Sequence, residues 1–179
     1  MKSRIVIALS VTLAVVVLAM AVLPTAMPTS PVRAATVTRY EYAVPYHCGW
    51  AGSDEYGVKP GNYATTINVH NPNVGTATVL WKVVRTYPTP ATKTSFNSLN
   101  IQNDQGKVWR CTNIWNRLNM QPGSYVTGFV VLHSFNQPLD VYATYTNEYY
   151  DWDPGMGGIG IGLSIDVEHI EATITYVEW

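Results

Sequence analysis

The sequence predicts an all-β protein, a single antiparallel β-sandwich that is immunoglobulin-like in the broad sense. Short stretches alternate apolar and polar residues, and turns rich in Gly, Pro and Asn separate them at the spacing typical of sandwich strands. The composition also favours strands, because Val, Ile, Thr, Tyr and Trp are abundant and charged residues make up only 13%. A small closed barrel is the alternative arrangement of the same strands.

The first 34 residues have the layout of a secretory signal peptide. Lys2 and Arg4 precede the uncharged apolar run Ile5–Leu23, and three prolines then lead to a cleavage-like sequence ending at Ala34. Because about 20 apolar residues can also span a bilayer, an uncleaved membrane anchor is the alternative. Both interpretations place residues 35–179 outside the cytoplasm as one domain, secreted or on the cell surface, and the membrane is a partner only through an uncleaved segment.

Two cysteines, Cys48 and Cys111, are the whole cysteine content of the chain. Outside the cytoplasm such a pair usually forms a disulfide, with free thiols or a metal pair as the alternatives. The long separation and the lack of a C-x-x-C motif favour a structural bridge. A loop of that length is expected to constrain the unfolded chain by about 4 kcal/mol.

The first half of the domain predicts one strand, one loop and one hairpin. Thr36–Val44 alternates and is the first strand, and the Gly- and Pro-rich stretch Pro45–Gly61 is a loop. Tyr63–Asn71 and Thr76–Arg85 form a hairpin around Pro72–Gly75, where Pro presets φ and Asn and Gly accept tight turns. The alternation turns Ile67 and Val69 inward and leaves an outward polar row: Thr66, Asn68 and His70.

The second half predicts a short helix and further strands. Asn113–Met120 spaces its apolar residues like one or two helical turns, and the nearly apolar Tyr125–Phe135 is a central strand that pairs with Leu139–Asn147. Glu148–Gly162 is a glycine-rich loop. Leu163–Val177 is the last strand, and a change of apolar parity near His169 indicates a bulge or a turn there.

Charge and motifs argue against several function classes. The net charge of −1 and the lack of a Lys/Arg run argue against a nucleic-acid partner. There is no G-x-S-x-G motif, and the glycine-rich GMGGIGIG does not open a helix as a phosphate-binding loop would. A metal-dependent hydrolase would have to bring together His70, His133, Asp166 and Glu168, whereas solvated strand faces explain them more simply. We therefore expect no catalytic residues and no cofactor.

One calcium candidate lies in the sequence DWDPG. Asp151 and Asp153, with Glu148 nearby, offer hard carboxylate oxygens of the kind that Ca²⁺ prefers. The rest of an EF-hand is missing, and Asp and Gly also serve ordinary turns. Calcium is therefore a possible ligand of this stretch rather than an implied cofactor.

Aromatic side chains in the predicted loops are the best sequence candidates for ligand binding. Loop aromatics on an extracellular β-sandwich can stack on sugars or fill the pockets of protein partners. Local packing against the loops is the alternative explanation. The candidates are Tyr46, Trp50, Tyr149, Tyr150 and Trp152.

Several stretches together resemble an uncharacterised family of small exported bacterial and archaeal proteins: YHCGW, GNYATTINVHNPN, GFVVLHS, LDVYATYT and LSIDVEHI. The resemblance covers most of the domain, and both cysteines match the family pattern, whereas residues 76–107 depart from it. It implies an exported β-domain and carries no catalytic residues.

The function expected from these observations is a non-catalytic exported module for surface structure, adhesion or assembly. Its partner would be an extracellular protein or a cell-surface glycan, and edge strands could support self-association. A carbohydrate-binding module that uses the loop aromatics is the alternative, and a metal-dependent hydrolase is the third possibility.

Overall fold

The computed structural model describes residues 36–52, 57–153 and 158–178, and the side chains of these residues except 149–153, 158–162 and 178. The predicted signal peptide or anchor, residues 1–34, lies outside the described residues. In the part of the chain that is described, no helix is long and apolar enough to cross a membrane.

The described chain forms ten strands and one short helix. In chain order the elements are β1 (Thr36–Ala51), β2 (Gly61–His70), β3 (Ala77–Tyr87), β4 (Thr92–Lys93), β5 (Asn97–Ile101), β6 (Gly106–Arg110), α1 (Cys111–Leu118), β7 (Val126–Phe135), β8 (Asp140–Asp153), β9 (Gly158–His169) and β10 (Thr173–Glu178).

The strands form two antiparallel layers that share β1. The first sheet runs from β4 and β5 through β3, β7 and β1 to β10, and the second sheet contains β6, β2, β8 and β9. The last residues of β1 leave β7 and pair with the start of β2. The strand path ends openly at β4 and β9, so the described strands form a sandwich and not a closed barrel. The all-β prediction is confirmed. Both predicted hairpins are wrong, because the turns after β2 and after β7 carry the chain from one sheet to the other, so that β2 does not pair with β3 and β7 does not pair with β8.

Alternating residues from both sheets fill one core. Trp81 of the first sheet and Trp109 of the second lie with ring centroids 5.5 Å apart. The buried hydroxyl of Tyr42 accepts a hydrogen bond from the Leu139 amide at 2.6 Å and so connects the sheets. The predicted inward residues Ile67 and Val69 are buried, together with Val44, Val79, Val83, Val130, Leu132 and Val141.

The predicted loop Pro45–Gly61 begins later than expected, because β1 continues to Ala51. Gly49 adopts φ +96° where β1 passes from one sheet to the other, and a Cβ there would collide with the Ser124 backbone. Gly49 therefore marks a bend within a strand. Cys48 and Tyr46, which were expected in this loop, lie on β1.

The predicted disulfide joins Cys48 and Cys111 at the crossing point of β1. Cys111 is the first residue of α1 and not part of a strand. Beside the bridge, the Thr65 hydroxyl lies 2.9 Å from the His47 amide nitrogen and 3.0 Å from its carbonyl oxygen. A disulfide is typical of an oxidising, extracytoplasmic environment, in agreement with the predicted compartment.

The predicted loop Glu148–Gly162 is also largely strand. β8 extends to Asp153 and β9 starts at Gly158, and their ladder runs without interruption from Tyr142↔His169 to Asp153↔Gly158. The predicted last strand divides at His169, because β9 belongs to the second sheet and β10 to the first. The parity change therefore marks a crossover between sheets.

Candidate functional site

β9 forms one margin of the second sheet. It pairs with β8 along its whole length, and no strand among the described residues pairs with its other side. Such an edge presents a row of backbone N–H and C=O groups that another strand can pair with. β9 is 12 residues long, which is long for an edge strand.

Three apolar side chains project from the outer face of this edge. The ladder places Leu163, Ile165 and Val167 opposite Glu148, Thr146 and Thr144, on the face away from the buried Val141 and Ala143. Their exposed fractions are 77%, 73% and 61%. We call Leu163, Ile165 and Val167 the β9 apolar row.

The β9 apolar row continues into the rest of the outer face of the second sheet. Tyr142 of β8 and Val108 of β6 are also exposed there. The ladders place short uncharged side chains between them, which are Ala64, Thr66, Thr144 and Thr146. An extended, mostly uncharged strand surface of this kind suits contact with another protein.

The inner face of β9 is polar and borders a cavity of about 230 Å³. Residues of β1, β2, β8 and β9 line this cavity, among them His47, Tyr63, Tyr145, Asn147, Ser164 and Asp166. The two faces of β9 therefore differ in chemistry, and an apolar partner surface fits only the outer one.

Hydrogen bonds fix the side chains around this cavity. His47 Nδ1 lies 3.2 Å from the Tyr125 hydroxyl, and burial lowers the pKa of His47. The Tyr145 hydroxyl lies 3.1 Å from a Glu168 carboxylate oxygen and 3.3 Å from the Pro45 carbonyl oxygen. Burial, and then the Glu168 carboxylate, raise the pKa of Tyr145. The polar atoms of His47 and Tyr145 therefore have hydrogen-bond partners within the protein.

The outward polar row of β2 leads to an ion-pair cluster at its end. His70 Nδ1 lies 3.2 Å from Asp140 Oδ2, and His70 Nε2 lies 3.0 Å from Asp104 Oδ1. The hydrogen bonds to these carboxylates, Asp140 first, raise the pKa of His70. The cluster ties the β5–β6 turn and the start of β8 to β2, which is a structural role.

The four polar strand residues of the hydrolase hypothesis do not converge. His133 lies in the first sheet, with Nε2 2.9 Å from Glu41 Oε2 and its ring packed against Phe96. His70 is on the outer face of the second sheet, whereas Asp166 and Glu168 are on the inner face of β9. Among the described side chains no group of three His, Cys, Asp or Glu residues is placed to hold a metal ion.

The stability contribution of His70 is expected to depend on pH. Its pKa in the folded protein is raised above the ordinary 6.5, so the stabilisation is fully present below that pH and disappears as pH rises through the raised value. His70→Gln should therefore lower the urea midpoint of unfolding in mild acid and approach wild type at high pH. His47 and His133 are present in both proteins and cancel in the difference. A difference that grows with increasing pH would contradict the assignment.

The predicted ligand-binding aromatics do not form one exposed group. Tyr46 is fully buried on β1, with its hydroxyl 3.3 Å from the Val84 carbonyl oxygen, so its prediction as a loop contact is wrong. Trp50 is 44% exposed near the end of β1. The side chains of Tyr149, Tyr150 and Trp152 lie outside the described ones.

Two of the three residues of the calcium candidate also have side chains outside the described ones. The carboxylates of Asp151 and Asp153 are outside the described side chains. Glu148 lies on the outer face of β8, where the Asn62 amide nitrogen is 3.5 Å from Oε2.

The β9 apolar row is the feature that sequence reasoning did not single out. Its alternation with Ser164, Asp166 and Glu168 is visible in the sequence. Alternation alone, however, says that two faces differ and not which one is covered. The signal that β9 is an edge comes only from the order of the strands.

Comparison with known proteins adds little to this picture. No family model matches the chain, and no curated protein does. The chain is similar to a solved structure from Thermotoga maritima, "Crystal Structure of Thermotoga maritima 1070", with 11% identity, a TM-score of 0.33 and coverage of 74% of this chain and 92% of that chain. A likeness at that level carries no conclusion about fold or function.

Proposed function

We propose that this protein is a non-catalytic, exported β-sandwich module that binds another polypeptide by strand addition at β9. The observation that supports this proposal is the combination, on one strand, of an edge that no described strand pairs with and the β9 apolar row. A partner strand would satisfy the free backbone groups and cover the apolar side chains at the same time.

β9 lacks most of the devices with which proteins usually protect an edge strand. Natural edges are blocked by Lys and other charged side chains, by Pro, by bulges, by inward-pointing charges or by very short length. β9 has no Lys, Arg or Pro, and its pairing with β8 has no register shift. Its carboxylates, Asp166 and Glu168, lie on the inner face and leave the β9 apolar row uncharged. Such an edge is suited to pairing.

The other margins of the sheets are poorer candidates. β4 has 2 residues and β6 has 5. β10 has 6 residues and carries the exposed Ile174 and Tyr176, but it is half the length of β9. Because main-chain hydrogen bonds accumulate with strand length, β9 offers the largest gain on strand addition.

Replacement of Ile165 by lysine tests the proposal. A charge in the middle of the β9 apolar row should prevent a second strand from covering it, so chemical crosslinking of the full chain in its native environment should lose its protein adducts. Val74→Lys is the matched control, because Val74 is 95% exposed in the β2–β3 turn. Equal adduct yields from wild type and both variants would contradict the proposal, provided that all three unfold at similar urea concentrations.

Carbohydrate binding stays as the alternative function. Among the predicted stacking residues with described side chains, Trp50 supports it through its exposure. A glycan array without signal, or with a signal that survives Trp50→Ala, would remove this support.

A further inference from the structure

We infer that the strand added to β9 is β9 of a second copy of this chain, antiparallel, with the two Ile165 residues facing each other. This inference rests on the proposed function and names its partner. It follows from the order of the side chains along β9, which is complementary to itself under a two-fold rotation.

The apolar residues match in this register. A two-fold axis through the Ile165 pair places Leu163 of each copy opposite Val167 of the other. All three members of the β9 apolar row then meet an apolar residue on the same face. A shift of the axis to Asp166 would leave Leu163 opposite His169 and lose one of these contacts.

The charges select the same register. With Ile165 on the axis, Asp166 faces Ser164 of the second copy and Glu168 faces Gly162. Shifting the axis to Asp166 would place two Asp166 carboxylates directly opposite each other, which is unfavourable. Moving it by half a residue would put Ile165 opposite Asp166 and mix the apolar and polar faces.

The resulting assembly closes on itself. Each copy contributes the same edge, so a two-fold contact uses both β9 edges and leaves neither for a third copy. The second sheets of the two copies would join, through four strands each, into one continuous sheet with a common outer face. The edge of β9 that no described strand pairs with is thereby explained without implying a growing fibre.

A cysteine at position 165 tests the register directly. The described cysteines are both in the native disulfide, so an introduced thiol is the free one. In the inferred dimer Ile165→Cys places two thiols across the axis within disulfide reach, whereas Leu163→Cys faces Val167 and places them several residues apart. Under mild oxidation we expect the covalent dimer to form from Ile165→Cys and not from Leu163→Cys. Equal crosslinking of both variants, or of Leu163→Cys alone, would overturn the register.

Charge changes at Ser164 provide a second measurement. Ser164→Lys would place a lysine opposite Asp166 at two symmetric positions of the dimer. The two opposite-charge pairs should lower the dimer dissociation constant about 2- to 30-fold. Ser164→Asp should raise it by a similar factor. The opposite order of the two variants would overturn the inference.

The failure of this inference can be told apart from failure of the proposed function. Adducts that depend on Ile165 but contain a different protein, with no covalent dimer from Ile165→Cys, would overturn the inference and leave strand addition at β9 standing. If no adduct responds to Ile165→Lys and Ile165→Cys gives no covalent dimer, both the inference and the proposed function are overturned.

Discussion

Replacing Cys48 and Cys111 by alanine is expected to lower the free energy of unfolding by about 4 kcal/mol. The bridge connects residues 63 positions apart, so its loss releases a long segment of the unfolded chain. It also sits where β1 crosses between the sheets, beside the hydrogen bond from the Thr65 amide to Cys111 Sγ at 3.3 Å. The folded state therefore loses a local anchor as well.

Urea unfolding of three samples measures this effect. Oxidised wild type should unfold at the highest urea concentration, and reduced wild type and the double alanine variant should unfold together at a much lower one. The variant should not respond to reducing agent. Coincident transitions of the oxidised and reduced wild type would show that the bridge contributes little.

Trp109→Ala is expected to lower the free energy of unfolding by about 3 to 5 kcal/mol, as is typical when a large buried aromatic side chain is truncated. Trp109 is 2% exposed on β6 and packs against Trp81 of the opposite sheet. Its removal would leave a cavity between the two sheets, because β6 and β3 are held by their own ladders and cannot close the gap freely.

Trp50→Ala is the matched control for this prediction. Because Trp50 is 44% exposed, the same truncation should lower the free energy of unfolding much less at this position. The measurement is the urea midpoint of unfolding for the two variants and wild type. Similar losses for Trp50→Ala and Trp109→Ala would contradict the position assigned to Trp109 in the core.

The alternating stretches made the fold class and much of the core predictable. Ile67 and Val69 point inward and Thr66 and Asn68 outward because a strand with one covered face must place its apolar residues on that face. The short helix was also predictable, since Ile114 and Leu118 share one side of it.

The strand ends were less predictable, for a physical reason. Glycines at 158, 160 and 162 lower the intrinsic strand preference of β9. Each nevertheless lies opposite a residue of β8, and this pairing keeps it in the strand. Gly49 likewise looks like loop sequence, although it serves a bend in β1. In both places tertiary pairing outweighs local preference.

The candidate site needed the structure for a different reason. Leu163, Ile165 and Val167 have the pattern of an ordinary buried strand face, so the sequence favours the core for them. The topology places β9 last in its sheet and turns these side chains outward. Strand order depends on contacts distant in sequence, which a local pattern does not contain.

Hydrogen exchange at β9, measured over a range of protein concentrations, tests the central claim most directly. Strand addition should slow the exchange of amides in residues 163–168 as the partner strand binds, because the edge N–H groups then become hydrogen-bonded. The edge of β10, residues 173–178, provides the internal comparison. The account predicts protection that increases with concentration at β9 and not at β10. Assembly with unchanged exchange at β9, or with protection at β10 instead, would contradict it.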